Sequence, residues 1–255
     1  MDADTILETS DDAVLGGRLL LRQPRHGHRV GHDAILLAAA TAAAAGDHAV
    51  DLGAGVGAAG LALAVRVGGL TVTLVEIDPA LAALAAGNAR RNGLAGRVRA
   101  LTLDVTRPET FAAAGLAPQS ADHVLTNPPF NDLSHASPDA RRRLAHAAAP
   151  DTLPRWVSAA ANVLKPGGVL TLIWRADGLG AVQEALAPAF GGAAVLPIRP
   201  RPGAAPIRVI VRARKGGTAP LKRHPGLELN DSHGQPSAAA EAVLRAGRTL
   251  DFTGD

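Results

Sequence analysis

Val50-Asp51-Leu52-Gly53-Ala54-Gly55-Val56-Gly57 decides the fold class. A short apolar run over residues 49–52 enters a glycine-rich turn, and a helix-like apolar stretch over 57–67 follows. Glycines at such a turn let the backbone bend sharply and pass close to a ligand. Working outward, the alternation continues. Residues 71–76 read as a β-branched strand. Residues 79–92 read as a helix, with Asp78 as N-cap, Pro79 in its first turn and Gly93 just past its end. Strands are expected over 97–103 and 122–126. A helix over 152–164 is closed by Lys165-Pro166-Gly167-Gly168, read as a turn. A strand over 169–174, a helix near 180–186 and strands near 193–198 and 207–212 complete the series. Short apolar strands separated by helices make a doubly wound, mostly parallel α/β sheet. Ligands in such sheets sit beyond the carboxyl ends of the strands. Residues 1–32 then form a short N-terminal extension, 33–215 the α/β domain, and 216–255 a Gly- and Pro-rich tail with one helix over 237–245.

The composition fits this plan. The chain has 255 residues, of which 47% are hydrophobic and 19% charged, so it can bury a sizeable core. It has no cysteine, which excludes disulfides, thiolate catalysis and Cys-ligated zinc. The N-terminus is polar and acidic, unlike a secretory signal, and the apolar run over 34–45 is too short to span a bilayer. A soluble cytoplasmic protein without a membrane partner is expected. Net charge is only +3, but the arginines are unevenly placed. Arg18, Arg22, Arg25 and Arg29 fall in a stretch without acids. Residues 185–227 also lack acids and carry Arg199, Arg201, Arg208, Arg212, Arg214, Lys215, Lys222 and Arg223. Arginine forks suit phosphate oxygens, so nucleic acid is a candidate partner, with a solvated basic face as the plain alternative. Arg141-Arg142-Arg143 stands equally between those two readings. His26, His28 and His32 cluster beside Asp33, but no second ligand group is evident, and no metal site is expected.

Three acids sharpen the glycine loop. Asp51 stands just before the glycines, where a pyrophosphate would be repelled but a ligand with an ammonium and a sulfonium would be welcome. Glu76 ends the next strand and can accept from ribose hydroxyls. Asp104 ends the third and can accept from an adenine amine. Each acid alone could be a helix cap or a solvated strand end. Together, Asp51-Leu52-Gly53-Ala54-Gly55-Val56-Gly57, Val75-Glu76-Ile77-Asp78 and Leu103-Asp104-Val105 resemble the class I S-adenosylmethionine-dependent methyltransferases, over roughly residues 20–213. The resemblance implies a Rossmann-like, seven-stranded sheet whose last strand is antiparallel, with S-adenosylmethionine as cofactor. It places Asp51, Gly53, Gly55 and Gly57 at the methionine end, Glu76 at the ribose and Asp104 near the adenine.

Thr126-Asn127-Pro128-Pro129-Phe130 follows the fourth strand. Two prolines fix φ and remove two donors, and Pro128 holds Asn127 extended. The loop therefore presents acceptors, the Asn127 side-chain carbonyl and the Pro128 carbonyl, with Phe130 offering a flat ring. A conjugated amine nitrogen is a poor nucleophile because its lone pair is delocalised. Acceptors gripping its hydrogens draw it toward tetrahedral geometry, so positioning and electrostatics supply the rate. Phe130 could stack on an extruded base; its plain alternative is a core residue beyond a Pro-Pro turn.

Asn-Pro-Pro-aromatic loops of this kind occur in amino methyltransferases acting on adenine, cytosine and glutamine amides. As a whole the chain most resembles the bacterial tRNA(Val) adenine-N6 methyltransferase family. Further resemblance lies in residues 23–37, ending in Asp33-Ala34-Ile35-Leu36-Leu37. It implies that residues 1–32 cover the cofactor or substrate, that Asp33 lies near the methionine end (helix N-cap being a compatible alternative), and that Asn127, Pro128, Pro129 and Phe130 form the catalytic loop, with Asn127 also beside the cofactor. The expected function is methylation of adenine N6 in RNA, tRNA first. The rivals are a glutamine-N5 protein methyltransferase and a non-catalytic RNA-binding module.

Overall fold

The computed structural model describes residues 8–26, 29–129, 151–250 and 252. Gly27, His28, Phe130, Arg141, Arg142 and Arg143 lie outside the described residues. The described chain opens with an antiparallel hairpin, β1 (Thr9–Val14) and β2 (Leu19–Pro24). Helix α1 (His32–Ala40) leads to β3 (His48–Leu52), α2 (Ala58–Arg66), β4 (Thr71–Glu76), α3 (Pro79–Arg91) and β5 (Val98–Thr102). Then come β6 (Ala121–Thr126), α4 (Thr152–Val163), β7 (Leu164–Arg175), α5 (Leu179–Leu186), β8 (Phe190–Arg199) and β9 (Arg208–Lys215). The tail adds β10 (Lys222–Arg223), β11 (Leu227–Glu228) and α6 (Ala238–Leu244).

The sheet runs β8-β9-β7-β6-β3-β4-β5. Its neighbours are parallel except β9, which is antiparallel to both β7 and β8. This is the expected seven-stranded α/β sheet with an antiparallel last strand. The tail enlarges it, because β10 and β11 each pair in parallel with β8. Alternation sorts the strands between two cores: Val209 and Val211 join the α4–α5 side, and Ile210 joins the α1–α2 side. The tail belongs to the second of these. Val243 and Leu250 are buried there, and the Leu250 N–H donates to Ala39 O at 2.9 Å.

Local punctuation worked where it was strongest. Asp78 caps α3, its Oδ1 accepting from the N–H groups of Ala80 and Leu81 at 2.8 and 3.2 Å. The turn expected at Lys165-Pro166-Gly167-Gly168 is instead a bulge within β7. Pairing jumps from Ala121 opposite Leu164 to His123 opposite Val169, so the extra residues loop out while the strand continues.

The N-terminal hairpin was not visible in the sequence. Leu19 and Leu21 bury their side chains completely, while β2 is held along its other edge by side chains rather than by a strand. Asn92 accepts from the Leu20 N–H at 2.9 Å and donates to Leu20 O at 2.8 Å. Asn88 accepts from the Arg22 N–H at 2.7 Å and donates to Arg22 O at 3.0 Å. Two amides one helical turn apart thus imitate a neighbouring strand at alternate residues.

Helix α2 ends against Arg97, placed by sequence at the start of the third strand. Its guanidinium donates to Val67 O and Leu70 O, both at 3.1 Å, and to Ala64 O at 2.5 Å. These are carbonyls at and just beyond a helix end, which a cation suits. Arg97→Ala is expected to lower unfolding free energy by about 2 kcal/mol, with Arg97→Lys between the two. Chemical denaturation checks this; a loss below about 0.5 kcal/mol would refute the capping role.

Candidate active site

Register assembles the site. Leu52 lies opposite Val75 on one side and Thr126 on the other, and Glu76 lies opposite Thr102. Gly53, Glu76 and Asn127 therefore stand in a row at the carboxyl edge of β3, β4 and β6, with Asp104 two residues beyond β5. Thr126 Oγ1 ties the row by donating to Leu52 O at 2.9 Å.

The glycine loop is built largely from its own surroundings. The N–H groups of Gly53 and Ala54 both donate to Val75 O at 2.9 Å. Glu76 accepts the Gly55 N–H on Oε2 at 2.8 Å and the Asp78 N–H on Oε1 at 2.9 Å. Its carboxylate thus links loop, strand and helix cap, and each oxygen keeps a lone pair for a further donor. A β-carbon at Gly53 would collide with the Trp156 indole on α4, so this glycine is demanded by packing. Gly53 and Gly55 both hold left-handed φ, +76° and +57°, but a β-carbon at Gly55 would meet nothing within 4 Å. That open side is where a ligand can approach the backbone closely. Gly57 serves as the N-cap residue of α2.

Asp51 lies at the buried base of the loop, 2% exposed, with Oδ2 accepting from the Gly60 N–H at 2.8 Å. Burial pushes its carboxyl up to about 7; the Gly60 bond opposes this and the Glu76 charge adds to it. Asp104 Oδ1 accepts from both the N–H and the hydroxyl of Thr106, at 2.8 and 2.7 Å. Asp33 sits in the first turn of α1 but does not cap it. Gly31 occupies the cap position, and the Asp33 carboxylate pairs with Arg208 Nε at 2.9 Å.

Asn127 behaves unlike these acids. Its Oδ1 is buried and has no hydrogen-bond donor among the described residues. Pro128, next to it, is buried as well. A buried acceptor without a partner costs about 1–3 kcal/mol, so at this strand end it calls for a donor from beyond the described residues.

The basic stretches shrink on inspection. Arg22 pairs with Asp11 and Arg29 with Asp12, both from β1. Arg18 reaches Leu15 O and Arg25 reaches Thr9 O. The first stretch is therefore not the unbalanced strip its sequence suggests. In the second, Arg199 donates to Pro225 O, Arg214 to Gly167 O, and Lys215 to Ala161 O and Leu164 O. Arg212 lies over the Phe252 ring, 4.7 Å from its centre. Arg201, Lys222 and Arg223 are exposed. Sequence reasoning missed Trp156, Arg208 and Asn88, whose contacts with the site are all long-range. Among the described residues, no group of three or more His, Asp or Glu is gathered to hold a metal ion, and no helix is long and apolar enough to cross a membrane.

Comparison with known proteins identifies the family and the fold. The model of the methyltransferase small domain family matches residues 28–199. A Porphyromonas gingivalis protein named tRNA1(Val) (adenine(37)-N6)-methyltransferase is 34% identical over 155 residues, 59% of this chain and 60% of that protein. A Gloeobacter violaceus release factor glutamine methyltransferase is 33% identical over 137 residues, 50% of this chain and 46% of its own. The chain therefore spans less than two thirds of the length of either relative. Among solved structures, a predicted O-methyltransferase from Agrobacterium tumefaciens superposes with a TM-score of 0.72 at 29% identity, covering 86% of this chain and 98% of that one. The chain belongs to the methyltransferase small domain family, in the class I fold, with S-adenosylmethionine as its methyl donor.

Proposed function

We propose that the chain methylates the exocyclic N6 amino group of adenine in RNA, with tRNA as the substrate. The observation that carries this reading is the buried Asn127 Oδ1 beside the glycine loop, which has no donor among the described residues. An acceptor in that position wants an N–H donor, and an aromatic amine supplies two. In this reading Asn127 Oδ1 and the Pro128 carbonyl take the two amine hydrogens, and Pro129 stiffens the bend. The amine's lone pair is then localised and aimed. When bound, S-adenosylmethionine would supply an electrophilic sulfonium methyl to the aimed nitrogen, its sulfur keeping the bonding pair. The nitrogen then releases a proton, so no strong base is needed before attack. Gly53, Gly55 and Gly57 would seat the cofactor's methionine end with Asp51 and Asp33, Glu76 its ribose, and Asp104 its adenine. Residues 1–32 would cover the site. Phe130, outside the described residues, is assigned to stacking on the base.

RNA as the partner draws support from the adenine-specific name of the Porphyromonas gingivalis relative. A second reading, glutamine-N5 methylation of a protein, is favoured by the Gloeobacter violaceus relative, since a glutamine amide offers the same two N–H donors. Labelled S-adenosylmethionine separates the two. The chain is incubated in parallel with bulk tRNA, rRNA, DNA and protein, and the labelled pool is digested. N6-methyladenosine from tRNA is expected; label on glutamine would overturn the RNA reading. A protein that fails to bind the cofactor in calorimetry would be a silent module.

Asn127→Ala should lower methyl transfer by about 100-fold or more, with cofactor affinity within about threefold of wild type. Lost cofactor binding would contradict the role given to Asn127.

Asp51 gives a pH test. Its carboxyl is raised in the folded state, so the fold holds a proton that the unfolded chain releases. The stability it contributes is complete below the ordinary carboxylate value of 3.8 and is lost as pH rises to about 7. Measured against Asp51→Asn, wild-type stability should fall between about pH 4 and 7, by at most about 1.4 kcal/mol per pH unit, and level off above. Parallel denaturation curves would show this; a difference that does not vary with pH would mean that Asp51 titrates normally.

A further inference from the structure

Asn88 is completely buried on α3, far in sequence from the groups it binds. A side-chain amide has one carbonyl and two N–H bonds. Here the carbonyl accepts from the Arg22 N–H at 2.7 Å, and Nδ2 donates to Arg22 O and to Val56 O, both at 3.0 Å. Both donors are spent, one on the N-terminal hairpin and one on the glycine loop. The N–H side of that loop is tied to β4 through Val75 and Glu76, whereas the Val56 carbonyl is held by α3 through Asn88. The connection runs on from Arg22 to buried Gln23. Its Oε1 accepts from the Val30 N–H at 2.9 Å, and its Nε2 donates to Asp12 at 2.9 Å. Val30 lies just before α1, the helix that carries Asp33.

We propose that Asn88 is a positioning residue that couples the cofactor loop to the β1–β2 hairpin, so that cofactor seating and hairpin docking strengthen each other. The proposal rests on the glycine loop being the cofactor seat and is independent of the RNA assignment. A ligand that shifts or stiffens the loop changes the Val56 bond. Asn88 has no spare hydrogen with which to compensate, so the change is transmitted to Arg22. Asn92 supplies an internal control. It grips Leu20 and its own helix at Asn88 O, without touching the loop.

Hydrogen exchange on the full chain, with and without the cofactor product S-adenosylhomocysteine, tests the coupling. Ligand binding should slow exchange of β2 amides by about threefold or more in the wild type. Asn88→Ala should abolish that response and weaken ligand binding about tenfold, which corresponds to about 1.4 kcal/mol. Asn92→Ala should speed β2 exchange while keeping the response, with affinity within about twofold of wild type. A hairpin indifferent to saturating ligand, or an Asn88→Ala protein that still responds, would overturn the coupling while leaving the cofactor seat intact. If Asn88→Ala fails to fold, the wild-type measurement still decides. A wild type that binds no ligand would remove the cofactor seat itself and the coupling with it.

Discussion

Backbone pairing holds three strand ends level, and the site follows from that constraint. With Leu52 fixed between Val75 and Thr126, the chain must leave the sheet at three adjacent places at once. Peptide groups there lose their ladder partners and need others. The glycine loop finds them nearby, in Val75 O, Glu76 and Asn88. Asn127 does not: its buried Oδ1 meets no donor among the described residues.

The acids at this edge divide into kinds that residue type alone could not separate. Asp104 makes a local turn with Thr106, Glu76 braces the loop, and Asp51 is a buried carboxyl whose titration is pushed up to about 7. A positively charged ligand nearby would favour the ionised form of Asp51, so binding and protonation are linked there. Asp33 is already matched to a cation, Arg208, from β9, which runs against its neighbours in the sheet. That pair joins the start of α1 to the far half of the sheet.

What the sequence disclosed, it disclosed through short-range signals. Asp78, Pro79 and Gly93 delimit α3 because capping and helix termination act within a few residues. The strand ends bearing Asp51, Glu76 and Asn127 were legible for the same reason. The β1–β2 hairpin was not, since its outer edge is satisfied by Asn88 and Asn92, 66 and 72 residues away from their partners. Nor was the pairing of Asp33 with Arg208, across 175 residues. The charge count was incomplete for a related reason. Counting arginines between 18 and 32 could not reveal that Asp11 and Asp12 fold back to meet them. In β7, a Pro-Gly-Gly sequence that usually ends an element was absorbed as a bulge, since β6 pairs Leu164 before it and Val169 after it.

The tryptophan inventory has an optical consequence. The chain contains two tryptophans and no tyrosine. Trp156 is packed against Gly53 in the glycine loop, and Trp174 stands next to the last residue of β7, at the same edge of the sheet. Its near-ultraviolet emission therefore originates at the carboxyl edge of the sheet. The unlabelled molecule carries an intrinsic fluorophore where a ligand's arrival would alter the polarity and quenching around the indoles.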